Sequence, residues 1–475
     1  MKCIRWLALA AVLVGAGGVL ERASAEEVDL RARVDRLAAP YIEHEVVVGM
    51  SVGVLAEGRQ WVAGYGRVSA EEDRRPDGET VYEIGSISKV FTGILLGDAV
   101  ARGEVSLEQP LRELLPGMAD NLAKEGEPIR LWHLATHTSG LPRLPANMQP
   151  ADPADPYADY SAERLDEFLK SVELKQVPGE LAEYSNLGAG LLGEVLGRKA
   201  GVGYERLLTE RITRPLGMES TGIELSLSMR ERLAPPHSAD GLPANNWGFT
   251  ALAGAGAIRS TADDMLRLLA AQLEPPRGVL AEAIDLAWKV HWQPKDNAGL
   301  ALGLGWHVAR DGHTRWHNGQ TGGYRAMALV SRESEIAVVV LANTATGEVD
   351  RLAEDIFRML AGAAVEPRTF AAAVGVAPEV MERYVGRYAL APGFHLTITL
   401  DEDRLMVQAT GQPAAQVYPK SDTDWFFKAV DAQLTFQVDD RGRCTGLILH
   451  QHGQDMPAGR VDDEGQESEG QTPSD

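Results

Sequence analysis

A chain of 475 residues is too long to bury its apolar side chains in one hydrophobic core, so the length predicts two or more domains. Apolar residues make up 44% and charged residues 24%, which is typical of a soluble globular protein. Lysine and arginine number 46 against 68 aspartates and glutamates, giving a net charge of −22. This excess of acid argues against nucleic acid as a partner, because phosphate contacts need clustered cations.

The first 25 residues have the pattern of a signal peptide. Lys2 and Arg5 provide a positive segment, residues 6–20 are mostly small and apolar, and the Ala-Ser-Ala sequence at 23–25 fits the small-x-small rule of signal peptidase. A permanent membrane anchor is the alternative, but this apolar stretch is short and contains glycines. The sequence therefore predicts cleavage before Glu26, no stable membrane span, and an exported protein that is periplasmic or secreted.

The region up to about residue 365 mixes strand-like and helical patterns. A β-branched run predicts a buried strand with a hairpin partner after it, and a second hairpin of the same kind comes late in the region. Between the two hairpins lie segments whose apolar residues have helical spacing, and Pro- and Gly-rich loops interrupt these segments. The predicted elements are a strand at 46–55, its partner at 60–68, a helix at 86–102, helical segments and loops over 105–290, a hairpin at 325–341 and a helix at 349–360.

The composition changes near residues 362–367, and beyond this point the pattern predicts a small all-β domain. Short strand-like runs separated by turn residues recur at 394–400, 404–408, 416–418, 434–438 and 446–450. The last residues are acidic, with almost nothing apolar, and predict disorder. The expected organisation is a signal peptide over 1–25, a first domain over 26–365, a C-terminal β domain over 366–460 and a disordered acidic tail over 461–475.

Ser86 and Lys89 form an S-x-x-K motif where a strand-and-loop region gives way to the helix at 86–102. Residues three apart on a helix share a face, so the Lys89 amine can meet the Ser86 hydroxyl and take its proton. The start of a helix also directs backbone N–H groups at a reaction centre. Alone the motif is weak evidence, since an N-capping serine beside a solvated lysine looks the same.

Tyr184 and Asn186 form a Y-x-N motif in a loop before an apolar run. A tyrosine held near a lysine can lose its proton more easily and relay protons between Ser86 and a leaving group. Asn186 offers both a donor and an acceptor to an amide group of a substrate. A core tyrosine beside a capping asparagine would be the preferred interpretation if this motif stood alone.

His317 and Gly319 form an H-x-G motif on a predicted edge strand. Such a strand can pair with an extended substrate, and the glycine allows close approach. The backbone N–H of Gln320, together with that of Ser86, would form an oxyanion hole. A single histidine in a strand is more often structural than catalytic.

S-x-x-K, Y-x-N and H-x-G each occur once and in this order, and the set resembles the serine β-lactamase and penicillin-binding superfamily. The Y-x-N form is similar to its class C β-lactamase, DD-carboxypeptidase and esterase branch. The resemblance extends over roughly residues 40–361. Further stretches that carry it are LATHTSGLPR (134–143), PGELAEYSNLGAGLLGEVL (178–196), RPLGM (214–218), GAIRSTADDM (256–265) and GLGW (303–306).

The resemblance implies an α+β fold in which both ends of the region form one antiparallel sheet, flanked by helices and joined by a mostly helical lobe. The C-terminal β domain resembles the small barrel-like modules appended to some hydrolases of this branch. The implied function is acyl hydrolysis of a β-lactam or a D-amino-acid peptide through Ser86, with Lys89 and Tyr184 managing protons. Esterase, D-aminopeptidase and slow penicillin-binding sensor remain open, as does a binding protein built on an inactive enzyme.

His317 is the one departure from the class C pattern, which has K-T-G where this chain has H-N-G. A lysine there would be charged, whereas an unperturbed histidine is mostly neutral at pH 7. If His317 binds a substrate carboxylate, activity on anionic substrates should rise toward pH of about 6.5. Alternatively, the neutral ring donates a hydrogen bond or orients its strand.

A metal site is the chemical alternative to a serine nucleophile. His133 and His137 are four residues apart and could share a helical face, but Leu134 stands where an H-E-x-x-H zinc motif needs glutamate. No acid or cysteine is placed to complete a ligand set. The sequence therefore predicts no metal and no cofactor, and the resemblance implies that these histidines belong to a structural loop.

Overall fold

The computed structural model describes residues 29–461 except for 116, 118–120, 296–298, 413, 429, 431 and 452. The predicted signal peptide lies outside the described residues, and so does the predicted disordered tail from residue 462 onward.

Strands occur in both halves of the described chain. The strands up to residue 342 are β1 (Gly49–Ala56), β2 (Arg59–Gly66), β3 (Val81–Glu83), β4 (Ala123–Lys124), β5 (Glu127–Pro128), β6 (Arg259–Thr261), β7 (Ala301–Leu302), β8 (His307–Val308), β9 (Thr314–Gln320), β10 (Arg325–Ser331) and β11 (Ile336–Ala342). The later strands are β12 (Gly386–Ala391), β13 (Phe394–Asp401), β14 (Arg404–Ala409), β15 (Ala414–Pro419), β16 (Asp424–Phe427), β17 (Ala432–Val438), β18 (Cys444–Gln451) and β19 (Gln454–Val461).

Helices are concentrated between β2 and β7. The described helices are α1 (29–43), α2 (Ser88–Ala101), α3 (Leu131–Ala135), α4 (Ala162–Leu169), α5 (Asn186–Ala200), α6 (Tyr204–Leu208), α7 (Arg214–Leu216), α8 (Leu227–Arg232), α9 (Ala262–Leu273), α10 (Val279–Trp288), α11 (Glu348–Leu360) and α12 (Pro378–Tyr384). Short 3-10 turns stand at Gly85–Ile87, Leu111–Glu113 and Ala253–Ala255.

A seven-stranded antiparallel sheet joins the two ends of the first region. Its strand order is β2-β1-β11-β10-β9-β8-β7, and β1 pairs with β11 from Met50↔Ala342 to Leu55↔Ala337. The N-terminal hairpin therefore closes on strands that come almost three hundred residues later. Together with the helices around it, this sheet confirms the predicted α+β class.

Both faces of the sheet are covered, because successive side chains of a strand point to opposite faces. On β11, Val338 and Val340 pack with α1 and α11 in one core, whereas Val339 and Leu341 pack in the other core with the helical lobe. This explains why the strand reads IAVVVLA, without alternation between apolar and polar residues.

Helix α2 runs through the middle of the helical lobe and is buried almost all round. A Cβ on Gly93 would stand 2.0 Å from the carbonyl oxygen of Leu304, and one on Gly97 would stand 2.5 Å from that of Ala283. Neighbouring backbone thus packs directly on this helix, and the turn Gly85–Ile87 that precedes it is held in place from several sides.

The C-terminal strands β12–β19 form a closed antiparallel barrel, which confirms the predicted all-β barrel-like domain. Aromatic rings fill its core, with Tyr384 stacked on Phe436 at a centroid distance of 3.9 Å. The barrel contacts the first region through Tyr418, whose hydroxyl donates to the carbonyl oxygen of Asp240 at 3.3 Å, and through Lys428, which lies 3.6 Å from Glu45.

Three barrel strands, β12, β16 and β19, were not expected from the sequence, nor was helix α12. Strand β16 has only four residues, and β19 (QDMPAGRV) contains both Pro457 and Gly459, which weaken a strand pattern. Closure of the barrel stabilises β19 as a strand although its local sequence does not favour one, because β19 pairs with β18 on one side and with β12 on the other.

Candidate active site

Ser86 and Lys89 meet at the start of α2, as the S-x-x-K spacing predicts. Ser86 lies in the turn Gly85–Ile87, and the Lys89 Nζ stands 2.9 Å from its Oγ. The same Nζ donates to the carbonyl oxygen of Ala255 at 2.7 Å, and the side chain is buried. Burial and then the charge of Arg143 lower the pKa of Lys89 well below its usual 10.5. A lysine in this state can hold its amine neutral and accept a proton from Ser86.

Tyr184 is brought to the same place by the loop that precedes α5. Ser185 caps this helix, accepting from the Gly188 N–H at 2.9 Å, and its own N–H donates to the His137 Nδ1 at 3.2 Å. The Tyr184 ring therefore lies against the His137 ring, with centroids 4.4 Å apart. Two basic side chains also approach the ring: the Lys89 Nζ lies 4.8 Å and the Arg143 Cζ 5.3 Å from its centroid.

The phenol of Tyr184 holds its proton more firmly than the sequence led us to expect. Burial raises the pKa of Tyr184 to about 12, while a hydrogen bond with Ser86 and the charge of Arg143 act in the opposite direction. Lys89 does not make the tyrosine more acidic, because its own burial favours the uncharged amine. Near pH 7 the group facing Ser86 is therefore a neutral phenol, able to donate a proton.

Asn186 has one side of its amide engaged within the protein. Its Nδ2 donates to the Tyr157 hydroxyl at 2.8 Å, whereas its Oδ1 is buried and has no hydrogen-bond partner among the described residues. Asn186 was expected to provide both a donor and an acceptor to a substrate, but its donor is already bonded within the protein. The carbonyl oxygen is the part of Asn186 that is left to accept from a substrate N–H.

His317 lies in the middle of β9, buried beside the other two motifs. Its ring centroid is 6.4 Å from that of Tyr184 and 4.8 Å from that of His307. Strand β9 is not the edge of the sheet, since β8 pairs with it, but the pairing reaches only Arg315 and Trp316. The described residues place no strand beside His317 on that side.

The protonation state of His317 follows from its hydrogen bond. Nδ1 lies 2.5 Å from the carbonyl oxygen of Asn318, and because that oxygen can only accept, Nδ1 carries the proton. The neutral ring then presents Nε2 as an acceptor, and this atom is buried with no partner among the described residues. Burial, with smaller effects of His307 and Lys89, lowers the pKa of His317 well below 6.5. The ring is neutral at physiological pH and has no full charge to offer a carboxylate, and Nε2 does not donate.

Gly319 and Gly85 let β9 touch the turn that holds Ser86. A Cβ on Gly319 would stand 1.9 Å from the carbonyl oxygen of Ile84 and 2.9 Å from the backbone N of Ser86. A Cβ on Gly85, whose φ is +50°, would stand 2.6 Å from the backbone N of Gln320. Side chains at either position would force the two segments apart.

The Gln320 N–H is directed toward this contact. The next residue, Thr321, donates its N–H to the carbonyl oxygen of Tyr324 across the β9–β10 turn at 3.1 Å. N–H groups alternate in direction along an antiparallel strand, so that of Gln320 points away from β10 and toward Gly85. The Ser86 and Gln320 N–H groups can therefore converge on one oxygen atom. The Gln320 side chain itself is exposed and accepts from the Arg325 Nη1 at 2.6 Å.

The two histidines weighed as metal ligands do not share a helical face. Helix α3 ends at Ala135, and His137 lies beyond it with a φ of 58°. The His133 Nδ1 accepts from the Arg130 N–H at 3.0 Å, and that of His137 accepts from Ser185. Over the described part of the chain, no group of three or more potential metal ligands is close enough to hold an ion.

Sequence reasoning missed several contributors to the site. Ala255 and His137 hold Lys89 and Tyr184 from distant parts of the chain, and His307 packs against His317. Two of these contributors, His137 and Arg143, lie in the stretch LATHTSGLPR that carried the resemblance. A cation at the end of that stretch was a signal that could have been used.

The chain belongs to the Beta-lactamase family, whose sequence model matches residues 34–363. Residues 371–464 match a second family, described as a domain of unknown function (DUF3471). The chain is 30% identical to the "Beta-lactamase" of Escherichia coli K12 over 286 residues, which are 58% of this chain and 70% of that protein.

Two further relatives carry different names. The chain is 30% identical to the "D-alanyl-D-alanine-carboxypeptidase/endopeptidase AmpH" of Escherichia coli K12, over 65% of this chain and 83% of that protein. It is 23% identical to "Protein flp" of Staphylococcus aureus N315, over 69% of this chain and 66% of that protein. None of the described helices combines the length and apolar character needed to cross a membrane.

Proposed function

We propose that the protein is a serine acyl hydrolase that works through an acyl-enzyme on Ser86. The observation that carries the proposal is the 2.9 Å contact between the Ser86 Oγ and the amine of buried Lys89. A serine hydroxyl becomes nucleophilic when a neighbouring base takes its proton, and a desolvated lysine can be that base.

The proposed first half-reaction forms one bond and breaks one. The Ser86 Oγ attacks the substrate carbonyl carbon while its proton passes to the Lys89 amine, and the Ser86 and Gln320 N–H groups stabilise the oxyanion. Collapse of the tetrahedral intermediate breaks the carbonyl C–N bond, and the leaving nitrogen takes the proton of the Tyr184 phenol. The Lys89 ammonium then returns a proton to Tyr184.

The second half-reaction uses water. Water attacks the ester carbonyl and gives a proton to the same lysine–tyrosine pair, the bond to the Ser86 Oγ breaks, and the hydroxyl regains its proton. No atom or electron is left over, and no cofactor or metal is needed.

The proposed substrates are β-lactams or D-amino-acid peptide amides, and the names of two relatives, a "Beta-lactamase" and a "D-alanyl-D-alanine-carboxypeptidase/endopeptidase AmpH", support this choice. The neutral, accepting Nε2 of His317 supports a second candidate, a D-aminopeptidase or esterase of the same fold, because it suits a substrate N–H or hydroxyl. A penicillin-binding sensor would instead be acylated at Ser86 without real turnover. Labelling with a fluorescent penicillin separates this case from both enzymes, because a sensor would lose the bound label only slowly.

Turnover of a substrate panel tests the proposal. Nitrocefin, a D-Ala-D-Ala peptide and a p-nitrophenyl ester would be assayed with the parent and with Ser86→Ala. We expect at least one substrate to be turned over, and the variant to lose a factor on the order of 10⁴ or more. Unchanged melting temperature would confirm that the variant is folded. Turnover retained by Ser86→Ala would refute the proposed nucleophile.

Export and domain organisation are proposed with it. The pattern at 1–25 supports a periplasmic or secreted protein, and N-terminal sequencing of the mature chain should begin at Glu26.

Residues 366–460 are proposed as a separately folding unit. A truncated chain that ends at Ala373 tests this proposal. It keeps Phe370, which packs on Tyr41 (4.9 Å between ring centroids), and Arg368, which pairs with Asp355. It should be soluble and active. An insoluble or inactive product would mean that the barrel completes the first domain.

A further inference from the structure

The charged groups nearest the catalytic side chains are positive although the chain as a whole is strongly acidic. The net charge is −22, yet the charged groups that most affect the pKa values of Lys89 and Tyr184 are Arg143 and Arg325, and no carboxylate is among them. A site whose local charge opposes that of the surrounding protein attracts ligands of the opposite sign, here anions.

Of the basic groups around the site, Arg143 is the one that is free to bind an external anion. Arg325 forms an ion pair with Asp350, and Lys89 is buried against Ser86 and Ala255. The Arg143 side chain is exposed, and none of the described acidic residues lies within ion-pair distance of it. An arginine without a carboxylate partner presents its full fork of N–H donors to a ligand.

Arg143 is also held at the mouth of the site. Its backbone carbonyl oxygen accepts from the Leu187 N–H at 3.1 Å, which ties it to the first turn of α5. Its guanidinium lies 5.3 Å from the ring centroid of Tyr184, and that residue is hydrogen-bonded to Ser86. The cation is therefore one aromatic ring away from the nucleophile, facing solvent.

We propose that Arg143 binds a carboxylate of the substrate and so makes this site prefer anionic substrates. The proposal rests on the proposed function and names its substrate class. A guanidinium binds a carboxylate through two parallel hydrogen bonds, which fixes the orientation of the ligand as well as attracting it. Charge recognition thus comes from the loop before α5, and not from position 317, where the ring is neutral.

The test compares substrates that differ only in charge. One pair is an acyl-D-Ala-D-Ala peptide and its C-terminal amide. The other pair is a p-nitrophenyl ester whose acyl chain ends in a carboxylate and its methyl ester. In Arg143→Gln, kcat/KM should fall roughly 10- to 100-fold for the anionic member of a pair, the range of a hydrogen-bonded charge, and by less than about 3-fold for the neutral member. Most of the loss should appear in KM. Arg143→Lys should retain part of the preference.

Arg310→Gln is the matched control, because it removes one exposed arginine from the β8–β9 turn, at the far end of β9 from the site. It should leave the ratio of anionic to neutral kcat/KM unchanged. Arg143 also affects the pKa values of Lys89 and Tyr184, but that effect acts on both members of a pair and cancels in the ratio.

Two outcomes would overturn the inference. An equal loss for anionic and neutral substrates would mean that Arg143 acts only by packing on Tyr184. If the ratio of anionic to neutral kcat/KM were already near one in the parent, and stayed near one in Arg143→Gln, no substrate carboxylate would be recognised. Both are distinct from failure of the proposed function, which would appear as turnover that survives in Ser86→Ala.

Discussion

The two walls of the active site hold their functional groups in different ways. The helical wall, formed by the turn Gly85–Ile87, α2 and residues 184–186, contributes side chains whose properties depend on burial. The strand wall, residues 317–320 of β9, contributes a backbone N–H and depends on two glycines for its position. Substitutions should therefore act on the helical wall through chemistry and on the strand wall through backbone geometry.

The largest effect should come from breaking the proton network of the helical wall. Lys89→Ala and Tyr184→Phe should each lower kcat by a factor on the order of 10³, because they remove the base and the proton donor of one step. The double variant should lose little more than the worse single variant, since groups that act as a unit are not additive. Fully additive losses would contradict a shared role.

On the strand wall, the comparison predicts a large effect from one added methyl group. Gly319→Ala places a Cβ 1.9 Å from the carbonyl oxygen of Ile84, so β9 must move away from Ser86. We expect kcat/KM to fall by a factor on the order of 10², the cost of weakening an oxyanion hole.

Gly347→Ala is the control for this change. Gly347 has a φ of −65° and no atom within 4 Å of its Cβ position, so activity and melting temperature should stay near the parent values. If Gly319→Ala behaved like this control, β9 would not be in contact with the catalytic turn.

The buried histidines should make the protein sensitive to acid. Burial holds the pKa of His307 at about 4 and that of His317 well below 6.5, so the unfolded chain binds more protons than the folded one below pH of about 6.5. Stability is therefore fully present above that pH and should be lost as the pH falls toward 4. The loss is about 1.4 kcal/mol per pH unit for each such histidine.

Denaturant titrations at pH 7, 6, 5 and 4 would measure this, and His307→Gln should reduce the slope. For activity, we expect that kcat/KM for anionic substrates does not rise as the pH falls from 8 to 6.5, because His317 stays neutral in this range. A gain confined to anionic substrates in this range, and removed by His317→Gln, would restore the hypothesis of a charged His317.

The smallest effect should come from a side chain of the strand wall. The Gln320 side chain is exposed, and among the described residues its hydrogen-bond partner is the Arg325 Nη1, while its backbone N–H is the proposed oxyanion-hole donor. Gln320→Ala should therefore change kcat/KM by less than about 3-fold, the size of an ordinary surface substitution. A loss as large as that of Gly319→Ala would mean that the side chain takes part in catalysis.

The sequence predicted what depends on neighbours along the chain. The S-x-x-K spacing placed Lys89 beside Ser86, and β-branched runs located the hairpin of β10 and β11. It did not predict properties that depend on distant residues. Tyr184 was expected to lose its proton easily, but its burial by remote segments raises its pKa instead. Strand β19 escaped notice because barrel closure, not local preference, keeps its Pro457 in a sheet.

A covalent intermediate on Ser86 can be detected by intact-mass analysis after brief mixing with a slowly hydrolysed β-lactam. Peptide mapping would then locate the adduct. We expect one added acyl group on the peptide that contains Ser86, absent in Ser86→Ala, and longer-lived in Tyr184→Phe because deacylation uses the same proton pair. An adduct on another residue, or one of equal yield in Ser86→Ala, would contradict this expectation.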